Sequence, residues 1–178
     1  MKITIIRHGK VNMQWKKWCT SKQFDIECEN YDSASIYPVN EDMAGNVSED
    51  IYISTLKRSR ETATQLFGEK EFLETGLLNE VPLKSCFHCK VKLPLWVWNV
   101  GGRMQWLFQR KRQVEKREET QKRADALIEK LVQMNRDCIL VSHGFFMRTL
   151  LKELKKHGFA VDKEKLGFAN LERVVAEK

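Results

Sequence analysis

Near its start the chain runs Ile3-Thr-Ile-Ile6 straight into Arg7-His8-Gly9, and near its end Cys138-Ile-Leu-Val-Ser142 runs into His143-Gly144. Both are short apolar runs of the kind that form buried strands, and both close on a histidine and a glycine where the chain must turn. In an open α/β sheet, ligands sit beyond the carboxyl ends of the strands. Two such strands paired in parallel would bring His8 and His143 to one crevice, although most of the sequence separates them. A site is therefore expected at that end of the sheet.

The stretch between them supports the same plan. Ile51-Tyr-Ile53 is a short apolar run that stops at Ser54-Thr55, after which Leu56 to Phe67 has helical spacing. Ser54 or Thr55 can cap its first turn and Gly68 can stop it. Arg58 then falls in that first turn, where backbone N–H groups favour anions and a guanidinium adds a planar fork matching phosphate or carboxylate oxygens. Phe72 to Leu78 reads as another short strand, leading to Asn79-Glu80-Val-Pro82, with Glu80 the first acidic side chain past the apolar segment. Residues 83–110 change character, with Phe87, Trp96, Trp98, Trp106 and Phe108 among Lys, Arg and Gly101-Gly102. They read as an excursion from the sheet, either a satellite core or a lid over the crevice. From Lys111 to about Asn135 the pattern is helical, with Ala124, Leu127, Ile128, Leu131 and Val132 as the apolar stripe. A helix after Gly144 and an apolar stretch near Leu171 to Ala176 complete an alternating α/β plan with helices on both faces of the sheet.

Two segments are less patterned. Val11 to Thr20 sets Met13 or Trp15 and Trp18 at spacings that share a helical face, with Lys16 and Lys17 between them, and predicts a short helix covering the sheet rather than a membrane or nucleic-acid contact. Residues 21–50, rich in Ser, Asp, Asn and Glu, read as a long surface connection with one helix near Asn40 to Ala44.

The chain has 178 residues, enough for one domain with a core of its own. Lys and Arg outnumber Asp and Glu 31 to 24, and the resulting charge of +7 suits anionic substrates, nucleic acid and acidic surfaces alike. No apolar run is long enough to cross a bilayer, and Met1-Lys-Ile-Thr-Ile-Ile reaches Arg7 too soon for a signal peptide, so a cytoplasmic protein is expected. The cysteines at 19, 28, 86, 89 and 138, odd in number and irregular in spacing, read as thiols rather than a disulfide framework.

Arg7-His8-Gly9 after an N-terminal strand, Ser54-Thr-Leu-Lys-Arg58 with Glu61-Thr-Ala63 behind it, an acidic Glu80, and Ser142-His143-Gly144 with Arg148 resemble the histidine phosphatase superfamily, the phosphoglycerate-mutase-like fold. The four elements stand in the family's order and span the chain. The resemblance implies a three-layer sandwich, a mostly parallel sheet between helices, in a single domain over residues 1–178 with 83–110 as a small cap or lid insertion. It implies a phosphomonoesterase acting on a small phosphorylated metabolite, with His8 the nucleophile that forms a phosphohistidine. Arg7, Arg58, His143 and Gly144 would hold the phosphoryl oxygens, and Glu80 would be the proton donor, with Leu77, Leu78 and Val81 able to bury it. Phosphoryl transfer asks mainly for in-line positioning and charge stabilisation, so two arginines and an imidazole suffice and no metal or other cofactor is implied.

The chain departs from the family pattern in two places. Lys10 and Val11 follow Arg-His-Gly where many members carry an acidic residue and then Ser or Thr, which argues for a phosphatase over a mutase-like phosphoryl transferase. Lys10 itself could extend the positive mouth of the site. Asn79-Glu80-Val-Pro82 also differs from the commonest context of the acid. A non-catalytic binder of phosphorylated ligands on the same fold is a further alternative, weakened by the presence of both histidines and both arginines. Cys86-Phe-His-Cys89 has metal or redox spacing but no second pair of ligands at matching separation, and His88 and His157 read as surface histidines. No pattern of a nucleic-acid-binding motif is present. The partners expected are a small phosphate ester, with neither nucleic acid nor membrane, and oligomeric state is not determined.

Overall fold

The computed structural model describes residues 1–41, 43, 49–163, 167 and 169–178. Its central sheet has six strands. β1 (Lys2–Arg7), β3 (Asp50–Ile53), β4 (Leu73–Glu74) and β6 (Cys138–Ser142) run parallel, while β7 (Ala160–Val161) and β8 (Arg173–Glu177) close one edge in antiparallel fashion. The spatial order is β4-β3-β6-β1-β8-β7. β1 lies directly against β6 with Ile3 opposite Cys138 and Arg7 opposite Ser142. The two apolar runs thus occupy the middle of the sheet, where a strand is covered on both faces and needs no polar side.

Alternation of side chains along these strands fills two cores. Ile3, Ile5, Tyr52 and Leu140 point to the face covered by α4 (Arg117–Met134) and α5 (Gly144–Lys156), meeting Leu127, Ile128, Leu131, Phe146 and Leu150. Ile6, Ile51, Ile53, Ile139 and Val141 point the other way, onto Ala63, Leu66 and Phe67 of α2 (Lys57–Phe67). Helices on both faces of a mixed, largely parallel sheet are the expected architecture.

A third, smaller core lies beside the sheet. α1 (Ser21–Ser33) and α3 (Leu95–Leu107) pack there with a two-stranded ribbon of β2 (Trp18–Cys19) and β5 (Leu93–Pro94). Trp98 is fully buried against Phe24, and its indole N–H donates to the carbonyl of Cys19 at 2.9 Å. α3 approaches the segment before it closely: a Cβ on Gly102 would stand 2.5 Å from Leu83 Cδ1 and 3.0 Å from the Lys84 carbonyl oxygen. The aromatic-rich 83–110 stretch is thus tied to residues 15–28 by a satellite core.

Several local expectations change. Val11 to Thr20 forms no helix: Val11 makes an isolated bridge to Ile36, and Trp18 belongs to β2. The helix lies further on, as α1, inside the stretch read as surface connection, started by a capping box in which Thr20 Oγ1 accepts from Gln23 N and Gln23 Oε1 accepts from Thr20 N. The helix expected near Asn40 to Ala44 falls partly outside the described residues. The strand expected over Phe72 to Leu78 is cut to Leu73–Glu74 and followed by a 3-10 turn at Gly76–Leu78. α4 begins at Arg117 rather than Lys111, and Val132 is exposed rather than part of its buried stripe. All five cysteines are free thiols, and Cys86 and Cys89 belong to the satellite core. Among the described residues no helix is long and apolar enough to cross a membrane.

Candidate active site

The end of the β1–β6 pair sets the site. Past the last paired residues, the backbone N–H of His8 donates to the Ser142 carbonyl at 2.9 Å, which carries the ladder one step further and leaves His8 and His143 side by side. Their ring centroids are 5.0 Å apart and both rings are buried. The side chains around them then fix which nitrogen of each ring carries a proton. His8 Nδ1 lies 2.7 Å from the Gly9 carbonyl oxygen, which can only accept, so Nδ1 is the donor and Nε2 keeps its lone pair. For His143, Arg58 Nε donates to Nδ1 at 3.1 Å, so the proton sits on Nε2 and is donated to Ser54 Oγ at 2.7 Å.

Electrostatics holds both rings neutral. Burial, with the Arg58 and Arg7 guanidinium groups, drives the His8 imidazole from 6.5 down to about 3, although the Gly9 carbonyl pulls the other way. Burial and then Arg58 push His143 well below its ordinary value as well.

The arginines arrive from different elements. Arg7, last residue of β1, lies over the start of α5 so closely that a Cβ on Gly144 would fall 2.8 Å from its Nε. Arg58 is fully buried in the first turn of α2, where its second anchor is Asp32 of α1 at 2.9 Å and its guanidinium covers the Tyr31 ring at 5.0 Å. No side chain caps α2. Ser54 Oγ instead accepts from Leu56 N at 3.2 Å while it receives His143, and Thr62 Oγ1 joins Gly9 N to the Arg58 carbonyl. Ser54 and Thr62 are thus polar struts under the loops that carry His8 and His143.

Glu80 sits at the opposite wall. Its carboxyl oxygens accept from Val81 N at 2.9 Å and from the first N–H groups of α5, Phe146 N at 2.9 Å and Phe145 N at 3.2 Å. It is therefore docked at a helix N-terminus beside Gly144, not simply buried among Leu77, Leu78 and Val81. Two arginines not singled out in the sequence hold this wall. Arg123 of α4, clamped by Glu115, donates to the carbonyls of Leu77 (3.0 Å) and Asn79 (2.7 Å), and Arg103 of α3 donates to the Val81 carbonyl at 3.1 Å while stacking 3.7 Å over Phe145. Burial lowers the Arg103 guanidinium from its usual value, with Glu80 opposing the shift.

Two clefts meet at Glu80, Asn99 and Arg103. The larger, about 710 Å³, runs from Arg7 and Gly144 along Val100, Met104, Trp106 and Leu107 to Arg148. The smaller, about 430 Å³, runs from Arg58 past Tyr31, Trp15 and Arg123. α3 forms a wall of both, so the 83–110 excursion borders the site as well as making its own core. Lys10 lines neither cleft; its ammonium lies 5.4 Å over the exposed Tyr37 ring. His88 is exposed, and His157 ends α5 beside Asp125 at 3.2 Å.

Known proteins match this arrangement at two levels. The sequence profile of the histidine phosphatase superfamily (branch 1) matches residues 3–175. No curated protein sequence matches the chain. Among solved structures, a mutant phosphoserine phosphatase of Entamoeba histolytica in complex with phosphoserine superposes with a TM-score of 0.56 at 18% identity, covering 98% of this chain and 89% of that one. A mycobacterial glucosyl-3-phosphoglycerate phosphatase gives 0.56 at 18% identity over 87% and 79% of the two chains, and a mycobacterial hydrolase 0.57 at 16% over 97% and 94%. At these identities the structures attest the shared fold.

Proposed function

The chain belongs to the histidine phosphatase superfamily, and from that premise we propose that it is a phosphomonoesterase in which His8 carries the phosphoryl group. The observation behind this reading is the pinning of His8. With Nδ1–H committed to Gly9 and the ring neutral, Nε2 is a free nucleophile beside Arg7, Arg58 and His143.

The lone pair of Nε2 attacks phosphorus while the ester P–O bond breaks, and the departing oxygen takes a proton. Arg7, Arg58 and the α5 N-terminus at Gly144 stabilise the charge on the equatorial oxygens, as in other phosphoryl transfers. His143 acts with them as a neutral dipole. Glu80 is the proton donor in this scheme: of a carboxyl's roughly four lone-pair sites, backbone N–H groups take three, leaving one for the proton shared with the leaving oxygen. A water then attacks phosphorus, the N–P bond breaks, and Glu80 recovers a proton from that water as inorganic phosphate leaves. The larger cleft, polar at Arg7 and Glu80 and apolar along α3, suits a small phosphate ester whose alcohol half is partly apolar.

The test is direct. His8→Ala folds as the parent does, loses hydrolysis of every phosphomonoester that the parent cleaves, and forms no acid-labile phosphoenzyme on rapid quench. Turnover at the parent's rate in that variant rules the mechanism out.

A further inference from the structure

α3 is apolar on two sides. One side carries Trp98 and Gly102 into the satellite core; the other shows Trp96, Val100, Met104 and Leu107 to solvent, 65, 53, 46 and 38% exposed. At ~100° per residue these four fall within about 80° of arc, so they form one continuous stripe. Phe108, 62% exposed, extends it past the helix end. Trp18, 57% exposed, stands beside its start, because Trp18 pairs with Pro94 and Leu95 N donates to the Lys17 carbonyl at 2.9 Å. Exposed apolar side chains scattered singly need no explanation, but a contiguous aromatic stripe does.

The charge beside it is mostly of one sign. From Val81 to Val114 there is no Asp or Glu, while Lys92, Arg110 and Lys111 on either side of α3 are exposed, as are Lys16 and Lys17 beside Trp18; the acidic groups that come near are Glu27, paired with Lys16, and Glu118, which accepts from Gln109. The occupant must therefore be apolar in the middle and negative at the rim. A second copy of the chain meets the first condition and fails the second, since a two-fold interface sets this basic face against itself. A single nucleic-acid strand meets the second but offers no apolar partner to Val100, Met104 and Leu107.

We propose that this face docks onto anionic lipid bilayers. α3 lies in the plane of the interface, with Trp18, Trp96 and Phe108, which line neither cleft, entering the boundary between headgroups and acyl chains, and Val100, Met104 and Leu107 facing it from the rim of the larger cleft. The lysines and arginines around them engage the anionic headgroups. Because Val100, Met104 and Leu107 also line the larger cleft, docking brings its rim to the lipid surface. The proposal does not depend on the chemistry assigned to His8.

Co-sedimentation of the full chain with phosphatidylcholine vesicles, with and without phosphatidylserine, tests it. The fraction bound to the anionic vesicles exceeds that on neutral ones by ~tenfold or more at low salt and falls as salt is raised. The double variant Trp96→Ser, Phe108→Ser loses that binding by ~tenfold or more, while its far-ultraviolet circular dichroism and its behaviour without vesicles stay unchanged; neither side chain lines either of the two clefts at the site. Equal partition onto both vesicle types, none onto either, or undiminished binding by the double variant overturns the proposal. So does a stripe that, without binding vesicles, drives concentration-dependent dimerisation or salt-sensitive retention on single-stranded DNA that the double variant abolishes.

Discussion

A Cβ built on Gly144 would stand 2.8 Å from Nε and 2.9 Å from Cζ of Arg7, so the hydrogen of that glycine makes room for the guanidinium. Gly144 is also the first residue of α5, and its φ is compatible with any residue type, which means that alanine there disturbs Arg7 rather than the helix. Since the guanidinium is the far end of a flexible side chain, Gly144→Ala should cost less than ~1 kcal/mol of stability. Moving Arg7 should nevertheless lower kcat/KM by ~tenfold or more, because charge stabilisation is lost in the transition state. Urea unfolding and steady-state kinetics on the same preparation check the split. The histidine, arginine and glycine types at this spot were readable from the chain, because a strand that stops on such residues has few other uses. Their tautomers were not readable, since these depend on Gly9, Ser54 and Arg58 arriving from three places.

At the scale of elements, the loop bearing Glu80 is braced from α4. Arg123 donates to two carbonyls of the 3-10 turn and its exit, and is itself held by Glu115 in a two-pronged contact. Arg123→Met leaves those acceptors and the Glu115 carboxylate without their donor and should cost roughly 2–4 kcal/mol, read as a shift in urea midpoint. In the folded variant kcat should fall more for esters of poor leaving groups than for p-nitrophenyl phosphate, because a misplaced Glu80 matters only where the proton is needed. The central strands and α2 were legible because a covered parallel strand is a plain apolar run and Gly68 stops the helix. α1 was overlooked for the opposite reason: of its thirteen residues only Ser21, Phe24 and Glu27 are buried, too few to mark a stripe. Its signal was the Thr20-Ser-Lys-Gln23 capping box. Arg103 and Arg123 were missed because nothing local distinguishes a structural guanidinium from a solvated one: Arg103 stands alone in the aromatic-rich stretch, and Arg123 follows Lys122 in a highly charged helix.

Over the whole molecule, two histidines kept neutral by burial link stability to acidity. In the unfolded chain each binds a proton below about 6.5, whereas folded His8 does so only near about 3 and His143 lower than its ordinary value. Between those limits the unfolded state holds more protons, so stability is complete above about 6.5 and drains away as pH falls toward about 3. His8→Asn removes one such group and should flatten the acid side of the curve by roughly 1 kcal/mol per pH unit. Urea midpoints collected between pH 7 and about 4 give that slope; an unaltered slope would mean that His8 titrates alike in both states.

Arg7 faces Ser142 across the sheet, so the two imidazoles are neighbours only by virtue of a residue count along two separate ribbons. Adding one residue inside β6 would turn His143 away from α2, toward the face covered by α4 and α5, and leave His8 beside Ser142; adding two would restore the facing but carry the ring ~7 Å up the strand. A length change that keeps the two rings together must therefore fall in a loop, and the site is written in the spacing of the central strands as firmly as in the residues they end on.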